Sequence, residues 1–207
     1  MMQSLTAPIH HEVYSMAGRI QDLSRAKVPP GFRGRPAWFV QIWWIVQSLL
    51  FHPSPQFFYA WRRFLLRSFG ARIGKGVLIR PSVTVTYPWK LTIGDYSWVG
   101  DHATLYTLGE IIIDDNAVVS QHSYLCAGSH DYTSPTFDLY AKPIHIESEV
   151  WLAAHVFVAP GVTVGHGAVV GACSVVLKDV PALMVCSGNP LRVIRPRRAA
   201  EPPQGPR

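Results

Sequence analysis

The chain has 207 residues, of which 48% are hydrophobic and only 15% charged, so most of it is expected to fold around one well-filled core. The formal net charge of +6 is unevenly distributed. Lys and Arg outnumber Asp and Glu by eight to two in residues 1–70 and by five to one in residues 190–207, whereas residues 71–189 hold six against ten. A nucleic-acid-binding protein carries its positive charge on the folded face itself, so nucleic acid is not expected as a partner. Basic flanks fit anionic lipid or a phosphorylated substrate better.

The cysteines and the N-terminal residues indicate in which cellular compartment the protein is located. Cys126, Cys173 and Cys186 are odd in number and form no CxxC pair. The first thirty residues lack the basic start and the apolar run of a secretory signal. Both observations favour a reducing cytoplasm, so we expect a cytoplasmic protein, with the inner face of a membrane as a candidate location.

The N-terminal third divides into an arm and a helical segment. Residues 1–36 are mixed, with several Pro and Gly, and predict an arm with little regular structure. Residues 37–70 contain the text AWFVQIWWIVQSLLF, apolar on nearly every side of a helix, and then FFYAWRRFLLRSFG. The first run is shorter than the roughly 20 residues that a spanning helix needs. Aromatic residues beside arginines are typical of a helix at a membrane surface, but helices that cap the core or pack between subunits explain residues 37–70 equally well.

From residue 73 the chain is regular in units of six. Fifteen hexads, such as IGKGVL, VGDHAT and VGHGAV, all open with Ile, Leu or Val. Successive groups of three hexads begin at residues 73, 93, 113, 146 and 164, so they are 20, 20, 33 and 18 residues apart. Eighteen residues are three hexads, and the excess in the other steps is inserted loop. Periods of this kind indicate a solenoid.

The predicted fold is an all-β solenoid, a parallel β-helix of about five triangular coils with N-terminal helices and a short C-terminal cap. The aliphatic residue that opens each hexad points inward, and a small residue at the fifth position fits the corner. Each coil contacts only its neighbours, so the terminal coils need caps. We predict a β-helix over residues 71–187, with a loop at residues 129–145, and a C-terminal cap and basic tail over residues 188–207.

The long insertion at residues 129–145 is the candidate site, because long loops in a compact repeat usually carry function. It opens with Ser129, His130 and Asp131. A histidine has an unperturbed pKa of about 6.5 and suits a general base at neutral pH. His130 is therefore the candidate catalytic base, although the sequence alone leaves an ordinary surface histidine open as the alternative, and Asp131 is a candidate auxiliary that orients or charge-stabilises the ring.

Two other constellations stay open on the sequence alone. His102, His122 and His155 occupy the fourth position of the middle hexad in successive coils and should form a column on one outer face. Such a column is either a repeated polar surface position, which we favour, or a zinc site. Cys126 is a weaker candidate for an acyl-carrying nucleophile, because no activating partner is evident beside it.

The hexads, the His-bearing loop and the closing text PGVTVGHGAVVGACSVVLKDVP…SGNPLRVIR together resemble the hexapeptide-repeat O-acetyltransferases. The texts LYTLGEI, CAGSHDYTSPTFD and SGNP look most similar to the colanic acid biosynthesis branch, and the likeness covers roughly residues 38–196. The resemblance implies a left-handed β-helix, a homotrimer with active sites between neighbouring subunits, and direct transfer of an acetyl group from acetyl-CoA to a sugar hydroxyl. It also implies that His130 is the base.

The same resemblance implies an acetyl-CoA site in the later coils and no metal. The matching positions are Trp151, Ala154, Ala172, Lys178, Arg192 and Arg195. Small residues there let the pantetheine arm approach the backbone, and cations meet the phosphates. The segment Gly100–Leu108 departs from the galactoside and maltose enzymes, so their acceptor specificity is not carried over. The alternatives are a zinc-dependent protein similar to the γ-type carbonic anhydrases, using His102, His122 and His155, and a non-catalytic scaffold.

Overall fold

The computed structural model of the protein describes residues 20–198, so the predicted arm up to residue 19 and the tail beyond residue 198 lie outside the described residues. The chain divides into two compact units. One contains residues 20–30 and 130–140, and the other contains residues 31–129 and everything described from residue 141 onward.

The larger unit begins with two helices. Helix α1 (Ala37–Val46) continues into a single π turn (Gln47–Phe51), and helix α2 (Tyr59–Ser68) follows. The predicted helical segment is therefore present, interrupted where Pro53 and Pro55 cannot supply backbone N–H donors. Within residues 20–198, no helix combines the length and the apolar content that crossing a membrane requires.

The rest of the larger unit is a parallel β-solenoid of short strands. The strands up to the insertion are β1 (Arg72–Ile73), β2 (Leu78–Ile79), β3 (Thr84–Val85), β4 (Leu91–Ile93), β5 (Trp98–Val99), β6 (Thr104–Tyr106), β7 (Ile111–Ile113), β8 (Val118–Val119), β9 (Tyr124–Cys126) and β10 (Gly128–His130). The later strands are β11 (Leu139–Ala141), β12 (Ile144–Ile146), β13 (Trp151–Leu152), β14 (Phe157–Val158), β15 (Thr163–Val164), β16 (Val169–Val170), β17 (Val175–Val176), β18 (Met184–Ser187) and β19 (Arg192–Pro196).

Seventeen of these strands form three sheets, one for each face of the solenoid, and β10 and β11 form a separate two-stranded sheet. The first is β1-β4-β7-β12-β15, the second is β2-β5-β8-β13-β16-β18-β19, and the third is β3-β6-β9-β14-β17. The predicted number of coils, about five, was too low, because the solenoid makes about six turns. Strand β18 adds a sixth parallel strand to the second sheet, and Val180 makes a parallel bridge to Val164 on the first. The sixth turn escaped the hexad count because its strands do not follow the six-residue pattern.

The hexad pattern describes the core correctly. The residues that open the fifteen hexads are all 0–7% exposed. Parallel pairing stacks them on their counterparts one coil away, as in the register of Ile73 with Ile93 and of Ile93 with Ile113. Burying an aliphatic side chain of this size contributes about 1.5–3 kcal/mol, so the stack is the main source of stability in the solenoid.

The fourth residue of many hexads occupies the left-handed backbone region at a corner of the coil. Seven non-glycine residues at this position have φ between 56° and 62°: Tyr96, His102, Asn116, His122, Glu149, His155 and Cys173. Glycines take the same position at Gly76 and Gly167. Asn and His are enriched among non-glycine residues in this region, which explains why histidine recurs at one corner.

Both N-terminal helices cap the first coil. Several backbone carbonyl groups of this coil point away from the second coil, and no preceding coil supplies N–H donors for them. Side chains of the two helices donate to these carbonyl groups instead. The Nε of Arg62 lies 2.6 Å from the Ile79 oxygen, Nη1 of Arg63 lies 2.8 Å from the Val77 oxygen, and Nη2 of Arg67 lies 2.6 Å from the Ile73 oxygen. On the third face, the indole of Trp43 donates to the Val85 oxygen at 2.7 Å. The arginines of α2 are thus occupied in capping.

Candidate active site

The insertion folds into a hairpin in the smaller unit. Strands β10 and β11 pair with each other, and the backbone N–H of Asp131 donates to the Asp138 carbonyl at 2.8 Å. Within the same unit, the backbone N–H of Asp22 donates to the Pro135 carbonyl at 2.7 Å. The turn is held by short side chains: Oγ1 of Thr136 and Oγ of Ser134 donate to the carboxylate of Asp138 at 2.7 and 2.8 Å. These bonds hold the pKa of Asp138 below its ordinary value.

His130 stands at the start of this hairpin with an exposed side chain. Its Nδ1 lies 2.8 Å from the carbonyl oxygen of Phe137, and its ring stacks on the Phe137 ring with centroids 4.3 Å apart and planes 8° apart. A carbonyl oxygen only accepts hydrogen bonds, so Nδ1 carries a proton. In the neutral ring the lone pair is then on Nε2. This is the arrangement that a histidine base requires: one nitrogen is fixed, and the other has no hydrogen-bond partner among residues 20–198.

The neighbouring Asp131 is engaged elsewhere. Its Oδ1 accepts from the backbone N–H of Thr133 at 2.8 Å and from the Thr133 hydroxyl at 2.6 Å. The Thr133 hydroxyl is the largest contributor that lowers the pKa of this carboxyl, followed by the Thr133 N–H. Asp131 therefore shapes the turn, and the group that positions the His130 ring in this structure is the Phe137 carbonyl. The sequence did not point to Phe137, because nothing in its spacing from His130 indicates that a hairpin will bring them together.

Cys126 is placed unfavourably for a nucleophile. Its side chain is half-buried, and its Sγ donates to the Gly128 carbonyl at 3.0 Å. Burial raises the pKa of the thiol, which lowers the fraction of thiolate at neutral pH.

Residues predicted to bind acetyl-CoA are spread over the larger unit, and two of them share a cleft. Lys178 and Arg192 line a cleft of about 350 Å³ beside Pro190 and Leu191. Arg195 lies on β19 with an exposed side chain and is not among the lining residues.

The other three predicted positions lie on the second face and its corner. Trp151 is on β13, 48% exposed, and its Nε1 donates to Oγ of Ser120 at 3.0 Å. Ala154 and Ala172 hold equivalent positions in successive coils, where the N–H of the next residue, Cys173, donates to the Ala154 carbonyl at 2.9 Å. Small side chains in successive coils leave the backbone at this corner open to a ligand.

The histidine column exists as predicted from the sequence. The rings of His102 and His122 stack with centroids 5.0 Å apart, and those of His122 and His155 with centroids 4.7 Å apart and planes 3° apart. Stacked parallel rings direct their nitrogens alongside one another, whereas zinc takes its ligands tetrahedrally. In the part of the chain that the structure describes, residues 20–198, no three His, Cys, Asp or Glu side chains are grouped as metal ligands would be.

A groove of about 670 Å³ along the second face was not predicted. It runs from Tyr59 on α2 to Gln121 and His122. Among its lining residues, Arg80 makes an ion pair with Asp101 at 2.9 Å. Trp98, which is 54% exposed, also lines the groove. A large aromatic residue at an outward strand position was the signal in the sequence. An exposed indole face beside polar groups can hold a small polar ligand that also has an apolar face.

The comparisons with known proteins agree with this architecture. No family model matches the chain. Over 182 residues, 88% of this chain and 100% of its relative, the chain is 61% identical to the Escherichia coli (strain K12) protein named as a colanic acid biosynthesis acetyltransferase, WcaF. A solved galactoside acetyltransferase in complex with coenzyme A has a TM-score of 0.73 and 26% identity, covering 84% of this chain and 86% of that one. A hexapeptide-repeat acetyltransferase of Vibrio cholerae O1 biovar eltor, complexed with acetyl-CoA, has a TM-score of 0.70 and 25% identity, with coverages of 77% and 88%.

The fold and the repeat define an enzyme of the hexapeptide-repeat acyltransferase class, built as a left-handed β-helix. Within that class the chain belongs to the family of colanic acid biosynthesis acetyltransferases. The predicted family, fold class and enzyme class are thereby confirmed. The roles of individual site residues stay predictions.

Proposed function

We propose that the protein transfers an acetyl group from acetyl-CoA to a sugar hydroxyl in the biosynthesis of an exopolysaccharide similar to colanic acid. The observation that carries this proposal is the arrangement of His130, whose Nδ1 is fixed by the Phe137 carbonyl while Nε2 has no hydrogen-bond partner among residues 20–198. Family membership supports acetyl transfer, and the coenzyme A and acetyl-CoA complexes of the structural neighbours support the donor.

In the proposed reaction, Nε2 of His130 accepts the hydroxyl proton as the acceptor oxygen bonds to the thioester carbonyl carbon. The carbon–sulfur bond then breaks, and the coenzyme A thiolate takes the proton from the imidazolium. The products are an O-acetyl ester and free coenzyme A. Transfer is direct, without an acyl-enzyme. Holding both substrates together supplies proximity, and base catalysis contributes a further factor on the order of 10²–10⁴.

The proposed donor site uses Trp151, Ala154 and Ala172 along the second face and Lys178, Arg192 and Arg195 near the C-terminal end. The cations of the cleft would meet the phosphates, and the two small residues would let the pantetheine arm pass close to the backbone. No metal takes part in this scheme. The scheme also includes a homotrimer, a cytoplasmic location and contact with the inner face of a membrane through residues 37–70.

The first test is calorimetric titration of the purified protein with acetyl-CoA, with a metal assay of the same sample. Binding in the micromolar range without stoichiometric zinc is expected. A Lys178→Ala/Arg192→Ala variant should weaken binding about thirtyfold or more, since two charge-assisted contacts to phosphate at about 1 kcal/mol each amount to about 2 kcal/mol. Arg72→Ala, at an exposed cation outside the cleft, is the matched control.

Transfer itself is measured as acetyl-CoA-dependent release of coenzyme A with a panel of nitrophenyl galactosides, glucosides and fucosides. Retention of most of this activity by a folded His130→Ala protein would overturn the mechanism. Tightly held stoichiometric zinc without acetyl-CoA binding would favour a zinc enzyme using the histidine column. Failure to bind either ligand would favour a non-catalytic scaffold.

A further inference from the structure

The two N-terminal helices present large apolar side chains to the outside of the larger unit. On α1 and its π turn these are Trp38, Ile42, Ile45 and Leu49, at helical spacings of four, three and four residues and 43–67% exposed. Before and along α2 they are Phe57, Trp61 and Phe64, which are 37–74% exposed. Together these seven residues form what we term the aromatic face. The opposite sides of the same helices pack against the first coil: α1 buries Val40 and Trp43 there, so it is apolar on both sides, whereas α2 buries Leu65 and Leu66 together with Arg62.

The two stripes form one continuous surface. The indole Nε1 of Trp61 donates to the Leu50 carbonyl at 2.9 Å, which fixes α2 beside the end of the π turn. Trp61 and Phe64 stack with centroids 5.7 Å apart. A contiguous apolar surface of this kind on a folded protein indicates an interaction site.

The aromatic face lacks charge. Residues 36–61 contain no Asp, Glu, Lys or Arg. The arginines that follow are turned away from it: Arg62 is fully buried, and Arg63 and Arg67 donate to the carbonyl groups of the first coil. The seven residues of the face therefore offer an anionic surface no cation; the exposed Arg35, which precedes α1, lies over the Phe39 ring with its Cζ 5.6 Å from the centroid. A partner that binds here gains free energy from the burial of apolar area rather than from ion pairs.

The indole groups distinguish a lipid surface from a second protein chain. Trp43 and Trp61 both donate their Nε1–H to backbone carbonyls. Among residues 20–198, Trp38 and the neighbouring Trp44, which is 42% exposed, have no hydrogen-bond acceptor for this group. In a dry protein interface an unpaired indole N–H is costly. At the headgroup level of a bilayer, the ring enters the apolar region while the N–H reaches water or lipid oxygen.

We propose that the aromatic face inserts into the interfacial region of a bilayer and holds the protein there through aromatic and aliphatic side chains, without a requirement for anionic lipid. The α1 helix lies along the surface, because it is too short to cross. This inference rests on the membrane contact included in the proposed function and not on acetyl transfer. Its test needs no substrate, so the two can fail separately.

The test is flotation of the full-length protein with neutral phosphatidylcholine vesicles and with vesicles containing about one-fifth phosphatidylglycerol. Binding to both is expected, within about twofold of each other, and unchanged when the salt concentration rises from 0.15 to 0.5 M. Screening at the higher salt removes most of the attraction between exposed charges, so an electrostatic anchor would be released.

A pair of matched double variants locates the contact. Ile45→Ser/Leu49→Ser removes two aliphatic side chains from the aromatic face and should weaken vesicle binding at least tenfold. Leu177→Ser/Ile194→Ser removes two side chains that are about as exposed elsewhere, at 62% and 60%, and should leave vesicle binding unchanged. Quenching of tryptophan fluorescence by lipids brominated near the headgroup should accompany binding of the unaltered protein.

Three results would overturn the proposal. One is binding to anionic vesicles alone with release by salt, which would indicate an electrostatic contact made elsewhere. Another is an absence of binding to either vesicle. The third is a smaller oligomer for Ile45→Ser/Leu49→Ser in light scattering, with its melting temperature unchanged, which would make the face an interface between copies of this chain.

Discussion

The imidazole of His130 is clamped by Phe137 in two ways: the Phe137 carbonyl accepts from Nδ1 at 2.8 Å, and the Phe137 ring lies parallel to the imidazole at 4.3 Å. One residue therefore sets both the tautomer and the plane of the ring. Phe137 itself has φ of 51°, in the left-handed region. The turn of the hairpin thus holds Phe137 in a backbone conformation that bulky residues rarely adopt.

Replacing His130 removes the proposed base. His130→Ala is expected to lower kcat by a factor on the order of 10²–10⁴ while leaving the KM for acetyl-CoA within about threefold. Steady-state kinetics with the nitrophenyl glycoside panel measures both constants. His166→Ala, at another exposed histidine, serves as the control and should retain full turnover.

Replacing Phe137 tests the clamp separately from the base. Phe137→Ala keeps the carbonyl but loses the stacked ring, which is worth about 0.5–1.5 kcal/mol, so kcat should fall about three- to tenfold. Phe137→Tyr retains an aromatic ring and should restore most of this loss. The readout specific to positioning is a fall in kcat with an unchanged KM for acetyl-CoA. Equal losses in the alanine and tyrosine variants would count against a positioning role.

Cys126 should be dispensable for chemistry. Burial raises the pKa of its thiol, so at any pH near neutrality less thiolate is present than at an ordinary cysteine. Alkylation of Cys126 by iodoacetamide should be slow at pH 7 and should accelerate only as the pH rises past the ordinary thiol range. Peptide mass spectrometry measures this rate, with the exposed Cys173 as the internal comparison. Cys126→Ala should keep most of the activity; a loss comparable to that of His130→Ala would reopen covalent catalysis.

We expect the three histidines of the column to be present because the backbone conformation at this corner favours them, and not because they take part in catalysis. His102, His122 and His155 have φ of 57–59°, a region that asparagine also tolerates. Changing all three to Asn is expected to leave acetyl transfer and the melting temperature close to their original values. His122→Val, which places a β-branched residue in the left-handed region, should cost about 1–2 kcal/mol of stability. Loss of activity in the asparagine variant together with loss of bound zinc would support the alternative function.

Arg62 should be the most important single side chain of the N-terminal cap. It is fully buried and donates to the carbonyl groups of Ile79, Pro55 and Gln56 and to the Ser54 hydroxyl. Arg62→Met leaves the buried Ile79 oxygen and three partly buried acceptors without this donor, at a cost of about 3 kcal/mol or more.

For a chain of this length, that cost corresponds to a fall in Tm of about 6–12 °C, measured by circular dichroism. Arg67→Met, at an exposed guanidinium, is the matched control and should lower Tm by less than half as much. An equal fall in Tm for the two variants would show that the burial of Arg62 does not make it more important for stability than the exposed Arg67.

Much of the solenoid was predictable because its core repeats a local rule. An aliphatic residue every six positions is visible in the sequence, and its burial follows directly from the parallel stacking of coils. The sixth turn was not predictable, because strand β18 (Met184–Ser187) keeps the stacking but not the six-residue pattern. His130 was proposed from its place in the insertion, and its role stays a prediction. Phe137 was not, because its contact with His130 depends on how the hairpin turns.

The role of the arginines of α2 could not be predicted from the sequence. Their neighbourhood of aromatic residues is the same whether they face lipid or cap the first coil, so the sequence could not distinguish the two. The structure assigns Arg62, Arg63 and Arg67 to the carbonyl groups of the first coil and leaves the aromatic side chains outside. The pairing of those carbonyl groups depends on the tertiary position of α2, which no local pattern encodes.

The donors that cover the first coil also decide whether these molecules polymerise. A parallel solenoid with a bare terminal coil offers a full row of acceptors to the donors of another molecule, and a head-to-tail contact of that kind does not close on itself. In this protein Arg63 and Arg67 already donate to the Val77 and Ile73 carbonyl oxygens. The backbone N–H groups of a second solenoid therefore cannot pair with this row of acceptors. A chain whose α2 detaches would expose that row and become a seed for fibre growth along the solenoid axis.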